Sequence, residues 1–262
     1  MSDNTPPRQT FDEVALLYNE ARPKYPDNLF TTLVNTVGLD PHATLLEIGP
    51  GTGQATKPLA ERGFHITAVE LGNSLAEVAK HELREYENVQ ILNVAFEDAT
   101  LASKSFDLVY AATSFHWIDP SVKYSKTHDV LKDKGYLAII QTNHISDQQG
   151  DKFFIDSQPI YDRYHYTDRH QKPKLPKNEE LKPSEIAEHL FKLIHFQLFP
   201  MVITYTARDF VKLVNTFSNH LAAAREIQKA FYQEIENLIS EQFNGKIDKH
   251  YSMSLTVARK IN

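Results

Sequence analysis

No cysteine occurs in the 262 residues, which excludes disulfide staples, thiolate metal sites and a cysteine nucleophile. Also missing is any uninterrupted apolar run near the ~18 residues that would suggest a membrane span, so a soluble protein is expected. The opening residues, MSDNTPPRQTFDEV, carry no basic patch followed by an apolar segment, and cytoplasmic is the expectation. Positive charge is short: 28 Lys and Arg stand against 34 Asp and Glu, a formal net charge of −6. Neutralising a phosphate backbone takes a basic face, so neither nucleic acid nor membrane is an expected partner. Repeats at periods of roughly 20 to 50 residues are absent, which sets solenoids and propellers aside.

What is there alternates. Leu29, Phe30, Leu33, Val34 and Val37 fall at helical spacing over 28–38, with Gly38 placed to end the helix. ATLLEIG (43–49) reads as a strand, 54–63 as a short helix, HITAVEL (65–71) as a second strand and 74–86 as a helix, opened by Ser74 and Glu77 at capping-box spacing. Strands over 88–94 and 105–112 follow, then a helix over 119–135 with Asp119 as N-cap and Pro120 in the first helical position, and a strand over 135–141. Such alternation predicts right-handed crossovers and an α/β fold: a Rossmann-like, doubly wound, mostly parallel sheet with both faces covered. The pattern breaks near residue 145, where a polar, aromatic-rich, proline-containing stretch predicts an inserted cap, and regular elements resume near 199. One domain is expected, with a helical cover over 1–40, a core over 41–145, the cap over 146–198 and sheet completion over 199–262.

Glycine is scarce as well, yet three of the nine stand within five positions of LLEIGPGTGQAT, residues 45–56. A strand feeding a glycine-rich turn and then a helix aims backbone N–H groups at the carboxyl edge of the sheet, where open α/β folds bind ligands. A dinucleotide fingerprint requires G-x-G-x-x-G or a final Ala, and both frames fail, with Gln54 and Thr56 in the last place. The spacing present is E-x-G-x-G-x-G, from Glu47 through Gly49, Gly51 and Gly53. Glu70 ends the next strand 21 residues after Gly49, where an acid is placed to accept both ribose hydroxyls of a nucleoside.

This glycine spacing resembles the first motif of class I S-adenosylmethionine-dependent methyltransferases, and FHWID (115–119) with YNEARPKYP (18–26) resembles their small-molecule branch, including relatives of trans-aconitate methyltransferase. The resemblance implies a seven-strand methyltransferase-type sheet, S-adenosyl-L-methionine as cofactor and no metal. It implies cofactor contacts at Glu47, Gly49, Gly51, Gly53, Gln54, Glu70 and Leu71, and adenine contacts at Phe96 and Glu97. Ala112 would line the methionine end, with Tyr18 and Arg22 reaching over from the N-terminal segment. This chain departs from the family at the third strand's end, NVAF in place of an acidic pair.

His116 follows the fourth strand and is the candidate general base, with Trp117 beside it as a wall; packing at the sheet edge is the alternative. Tyr25, Asn143, His144, Tyr161 and Tyr164 are candidates for the acceptor pocket, the two cap tyrosines alternatively anchoring the cap. The expected activity is in-line methyl transfer to a small-molecule acceptor, by a monomer or homodimer. A cofactor-binding module without catalysis is the alternative, and a nicotinamide oxidoreductase is disfavoured by the failed glycine frames.

Overall fold

The computed structural model describes residues 15–166, 174–221 and 223–261, so part of the expected N-terminal cover, 1–14, and part of the cap, 167–173, lie outside the described residues. The order begins α1 (Ala15–Ala21), α2 (Asp27–Val37), β1 (Thr44–Ile48), α3 (Thr56–Ala60), β2 (His65–Glu70), α4 (Asn73–Glu82), β3 (Val89–Asn93) and β4 (Phe106–Ala112). It continues α5 (Lys123–Val130), β5 (Leu131–His144), α6 (Lys152–Arg163), β6 (Phe191–Thr206), α7 (Ala207–Val214), α8 (Ser218–Leu221), α9 (Arg225–Gln242) and β7 (Lys246–Lys260). The seven strands form one sheet in the order β3-β2-β1-β4-β5-β7-β6. Pairings β1–β2, β1–β4, β2–β3 and β4–β5 are parallel. β7 runs antiparallel to both neighbours. Contacts Thr142 to Met253 and Ile145 to His250 descend along it as β5 ascends, and so do Leu190 to Ile261 and Thr204 to Asp248 for β6. The expected α/β architecture is therefore present, with the chain reversing between β1 and β4, a switch point of the kind where such sheets bind ligands.

The described residues pack as two compact units. One comprises Lys24–Thr142, Lys182–Phe199 and the chain from Met253 on; the other comprises the residues up to Pro23, Asn143–Leu181 and Pro200–Ser252. In the first, Leu45, Leu46 and Ile48 of β1 and Leu108, Val109 and Ala111 of β4 are buried, as expected for strands covered on both faces. Of these, Leu46, Ile48, Val109 and Ala111 join Val69, Phe96, Phe106, Leu131 and Phe191 in one core. In the second, Phe210, Leu213 and Val214 of α7 pack with Phe231, Ile235 and Ile239 of α9 and with Tyr205 and Tyr251. No described helix is long and apolar enough to cross a membrane.

Local differences from the sequence expectation have physical causes. Gly38 does end α2, at φ 65° with its N–H on the Val34 carbonyl. The capping box at α4 is absent: the helix opens at Asn73 after Gly72 with no side-chain cap, and Glu77 pairs with Lys80 on the surface instead. Asp119 does not cap α5. Its Oδ1 accepts from the Ser121 N–H and hydroxyl, closing a turn before the helix begins at Lys123. The same helix stops at Val130 rather than 135, because Leu131 is fully buried in the ladder opposite Phe106. β6 also starts earlier than expected, its Phe191 drawn into the first core.

Candidate active site

β1 delivers the chain to Gly49, where φ turns to 66°, and Gly51 and Gly53 follow at 59° and 89°. Side chains are disfavoured in that left-handed region. At Gly49 space is closed as well: a Cβ would stand 2.6 Å from the Ser114 Cβ. Ser114 is pinned there by its hydroxyl, which donates to the Ile48 carbonyl. The turn is thus held against the end of β4, and the Gly49 N–H is bonded to Val69 of β2 at 2.9 Å.

Glu70 completes the turn. Its Oε2 accepts from the Gly51 N–H at 2.9 Å and its Oε1 from the Gly72 N–H at 2.8 Å, and the residue is only 6 % exposed. Both carboxylate oxygens thus stand beside the glycine turn at the end of β2, where an acid is placed to accept ribose hydroxyls. One acid therefore shapes the glycine turn and presents acceptors beside it.

Glu47 lies beneath. It is 1 % exposed, and its Oε2 takes hydroxyl donors from Thr56 and, at 2.8 Å, from Tyr110. Its Oε1 is buried with no hydrogen-bond partner. Burial, only partly offset by those two donors and reinforced by the nearby Glu70 charge, pushes the Glu47 carboxyl up from 4.5 to about 7. The folded protein therefore holds this proton more tightly than the unfolded chain. Its contribution to stability is full below pH 4.5 and lost as pH rises through about 7, a difference of roughly 3 kcal/mol. Glu47→Gln keeps an acceptor oxygen without the charge. Denaturant midpoints measured at pH 5 and pH 8 should fall with pH in the wild type and change much less in Glu47→Gln; parallel behaviour of the two would contradict the assignment.

At the carboxyl edge of β4, Thr113 holds φ 59°, a rare state for a β-branched residue. Its N–H bonds to the Ile140 carbonyl, and its Oγ1 meets the Tyr25 hydroxyl at 3.0 Å and the Thr142 hydroxyl at 3.3 Å. Tyr25 is thereby fixed at the same edge, its ring edge-on to Phe30. Half-buried Ala112 is the last residue of β4. His116 and Trp117 follow in a single 3-10 turn, Phe115–Trp117, with rings 4.8 Å apart. His116 is exposed, and partial desolvation and the Lys123 ammonium hold its imidazole below 6.5. At neutral pH it is an unprotonated base facing solvent.

Around β3 the candidates do different work. The Phe96 ring is in the core under the Lys126 ammonium, 5.4 Å away, so only its backbone is left for a ligand. Glu97 Oε1 accepts from the Asp119 N–H at 2.9 Å. Gln54 and Leu71 are half-buried, beside the turn and at the end of β2 respectively, and the Leu71 carbonyl accepts from Asn93.

The remaining candidates belong to the other unit. The Arg22 guanidinium lies between the Tyr18 and Phe217 rings, 4.8 and 4.7 Å away, and donates to the Thr216 carbonyl. Asn143 donates to the Ser252 carbonyl at 3.0 Å. His144 packs on Tyr251, and burial with the Lys249 and Arg22 charges holds its imidazole down at about 3. Tyr161 meets Phe231 edge-on, and Tyr164 bonds to Glu234 at 2.8 Å. These two tyrosines are in the position of anchors on α9. Among the described residues no group of three or more His, Asp or Glu is placed to hold a metal ion.

The roles of Thr56 and Tyr110 escaped the sequence reading. Only Tyr110 left a signal there, since a phenol inside the apolar run FDLVYAA must find a partner when buried.

A parallel β-α core whose glycine turn is wired to an acid ending the next strand has the Rossmann-like architecture. Residues 46–139 match the profile of the methyltransferase domain family. That segment is similar to methyltransferase domains, in agreement with the resemblance carried by the glycine motif. An uncharacterized methyltransferase of Mycobacterium tuberculosis H37Rv is 29 % identical over 131 residues, covering 50 % of this chain and 51 % of the relative. Ribosomal RNA small subunit methyltransferase A of Staphylococcus haemolyticus is 25 % identical, covering 71 % of this chain and 65 % of the relative. This chain spans about half the length of the first of these relatives. Among solved structures, a candidate type II methyltransferase from Anaeromyxobacter dehalogenans superposes with a TM-score of 0.60 at 20 % identity, covering 91 % of this chain and 97 % of that one. That likeness concerns the fold.

Proposed function

We propose that the protein transfers a methyl group from S-adenosylmethionine to a small-molecule acceptor by in-line displacement. The observation that carries this reading is the Gly51–Glu70 hydrogen bond, which joins the glycine turn to the ribose-acceptor position. The residues present fit the cofactor. Glu70 ends β2 with its carboxylate bonded to the glycine turn, Gly49 leaves the backbone bare where a side chain would not fit, and the orphaned Glu47 Oε1 lacks the donor that an ammonium group supplies. Two carboxylates at the turn also disfavour a pyrophosphate, the ligand of the dinucleotide alternative.

S-adenosylmethionine, when bound, supplies an electrophilic methyl carbon carried on a sulfonium. The chain's task is then mostly positioning, and alignment of that kind supplies roughly 7 to 11 kcal/mol of a barrier. Gly49, Gly51 and Gly53 admit the ligand close to the backbone, Glu70 orients the sugar, and Thr113 with Tyr25 shapes the β4 side of the edge. His116, unprotonated at neutral pH, accepts a proton where the acceptor is a hydroxyl or a protonated amine; a carboxylate acceptor needs no base. The net charge of −6 favours a small acceptor over the RNA of the ribosomal relatives.

The experiment is a transfer screen with methyl-labelled S-adenosylmethionine over small carboxylates, phenols and amines. Label in any product supports the reading; cofactor binding with no transfer across the screen favours the non-catalytic module. On a verified hydroxyl or amine acceptor, His116→Ala should lower turnover by about 100-fold or more while leaving cofactor affinity unchanged, and equal turnover would make His116 a packing residue. Because the imidazole is held below 6.5, the acidic limb of the rate profile should fall below that pH.

A further inference from the structure

The second unit brings two half-buried cations to one imidazole. Ile145 N–H bonds to the His250 carbonyl at 3.0 Å, so β5 and β7 stand in register there and His144 lies opposite Tyr251, their rings 4.8 Å apart. Side chains alternate faces along a strand. Lys249, two residues before Tyr251, therefore shares its face and is the diagonal neighbour of His144, a separation of about 7 to 8 Å between backbones. Arg22 reaches the same place: its guanidinium carbon is 4.7 Å from the Phe217 ring, which His144 meets edge-on at 6.4 Å.

Neither cation is in an ion pair among the described residues: no carboxylate there lies within ion-pair distance of Arg22 or Lys249, and the buried Arg22 Nε has no hydrogen-bond partner. Lys249 Nζ sits 5.9 Å over the Phe153 ring. The acids that face it, Asp147 and Asp151, are engaged with their own loop. Asp147 Oδ1 accepts from the Gln149 and Asp151 N–H groups, and Asp151 Oδ1 from the Asp147 N–H. Buried charges are ordinarily paired or coordinated. Here two cations and an imidazole converge with no ion-paired carboxylate among the described residues, Asp147 and Asp151 facing Lys249 from beyond ion-pair distance.

We propose that Lys249, His144 and Arg22 form a binding site for an anionic oxygen group, a carboxylate or a phosphate. This anion site does not rest on the methyltransferase reading. The depressed basicity of both groups agrees with the arrangement, burial and the neighbouring charges holding His144 at about 3 and burial lowering Lys249 to about 8. A bound anion reverses that electrostatic penalty and raises the imidazole's basicity.

The test uses the full chain with isotope-labelled histidine, titrated with succinate and, separately, with inorganic phosphate at constant ionic strength in chloride. The expected result is a saturable shift of the His144 ring signals, at least tenfold weaker in Lys249→Met and recovered in Lys249→Arg. Lys249→Met keeps the apolar stem, and an unchanged far-ultraviolet spectrum with unchanged S-adenosylhomocysteine affinity shows that the fold is intact. Saturation by succinate alone assigns a carboxylate, by phosphate alone a phosphate ester. No saturable shift with either, or equal affinity in wild type and Lys249→Met, overturns the proposal. Saturation by an anion in a wild-type protein that does not bind S-adenosylhomocysteine upholds the anion site and instead refutes the methyl-donor reading.

Discussion

Glu70→Ala should weaken S-adenosylhomocysteine binding by roughly 10- to 100-fold, because hydrogen bonds to a charged group contribute about 1.5 to 3 kcal/mol. Two losses combine. The ribose hydroxyls lose their acceptor, and the Gly51 and Gly72 N–H groups, now 2.9 and 2.8 Å from the carboxylate, lose theirs. The second loss loosens the turn before any ligand arrives. Glu70→Gln separates the two, since its amide oxygen still accepts one bond while its NH2 faces a backbone donor; its affinity should lie between wild type and Glu70→Ala. Calorimetry showing wild-type affinity in Glu70→Ala would remove Glu70 from the site.

Gly49→Ala should be the most damaging single methyl in the molecule for folding. The backbone there, at φ 66°, disfavours any Cβ, and the added carbon would fall 2.6 Å from the Ser114 Cβ. Left-handed strain of about 1 to 2 kcal/mol and overpacking of about 1 to 3 kcal/mol act together. Ser114 has little room to yield, because its hydroxyl is committed to the Ile48 carbonyl. Chemical denaturation should show a loss of about 2 to 4 kcal/mol. Gly63→Ala is the control: its φ of 88° brings the strain, but nothing stands within 4 Å of the new carbon. Equal losses at the two positions would show that the Ser114 contact is immaterial.

Much of the cofactor side was legible because it is written locally. Glycine spacing, the acid 21 residues on and the alternation of apolar runs all act within one crossover unit, where chain order and spatial order coincide. Helix ends were less legible. The Ser74–Glu77 spacing suits a capping box, but α4 opens one residue earlier and Glu77 turns to Lys80. α5 ends early because burial of Leu131 in the ladder outweighs local helix preference. Contacts made between distant segments left little trace. Thr113 bonds to Tyr25, 88 residues away, and Arg22 to Thr216, 194 residues away. Nothing in YNEARPKYP foretells that its arginine lies between two aromatic rings. Lys249, likewise, is one polar letter in an alternating strand until the register with β5 places it diagonal to His144.

The most direct measurement is a pair of calorimetric titrations on the wild-type protein, one with S-adenosylhomocysteine and one with a nicotinamide dinucleotide. The account predicts saturable one-to-one binding of the first, weakened in Glu70→Ala, and no heat of binding from the second. Binding of the dinucleotide with none of S-adenosylhomocysteine would contradict it, and the glycine turn would then hold a pyrophosphate despite its two carboxylates.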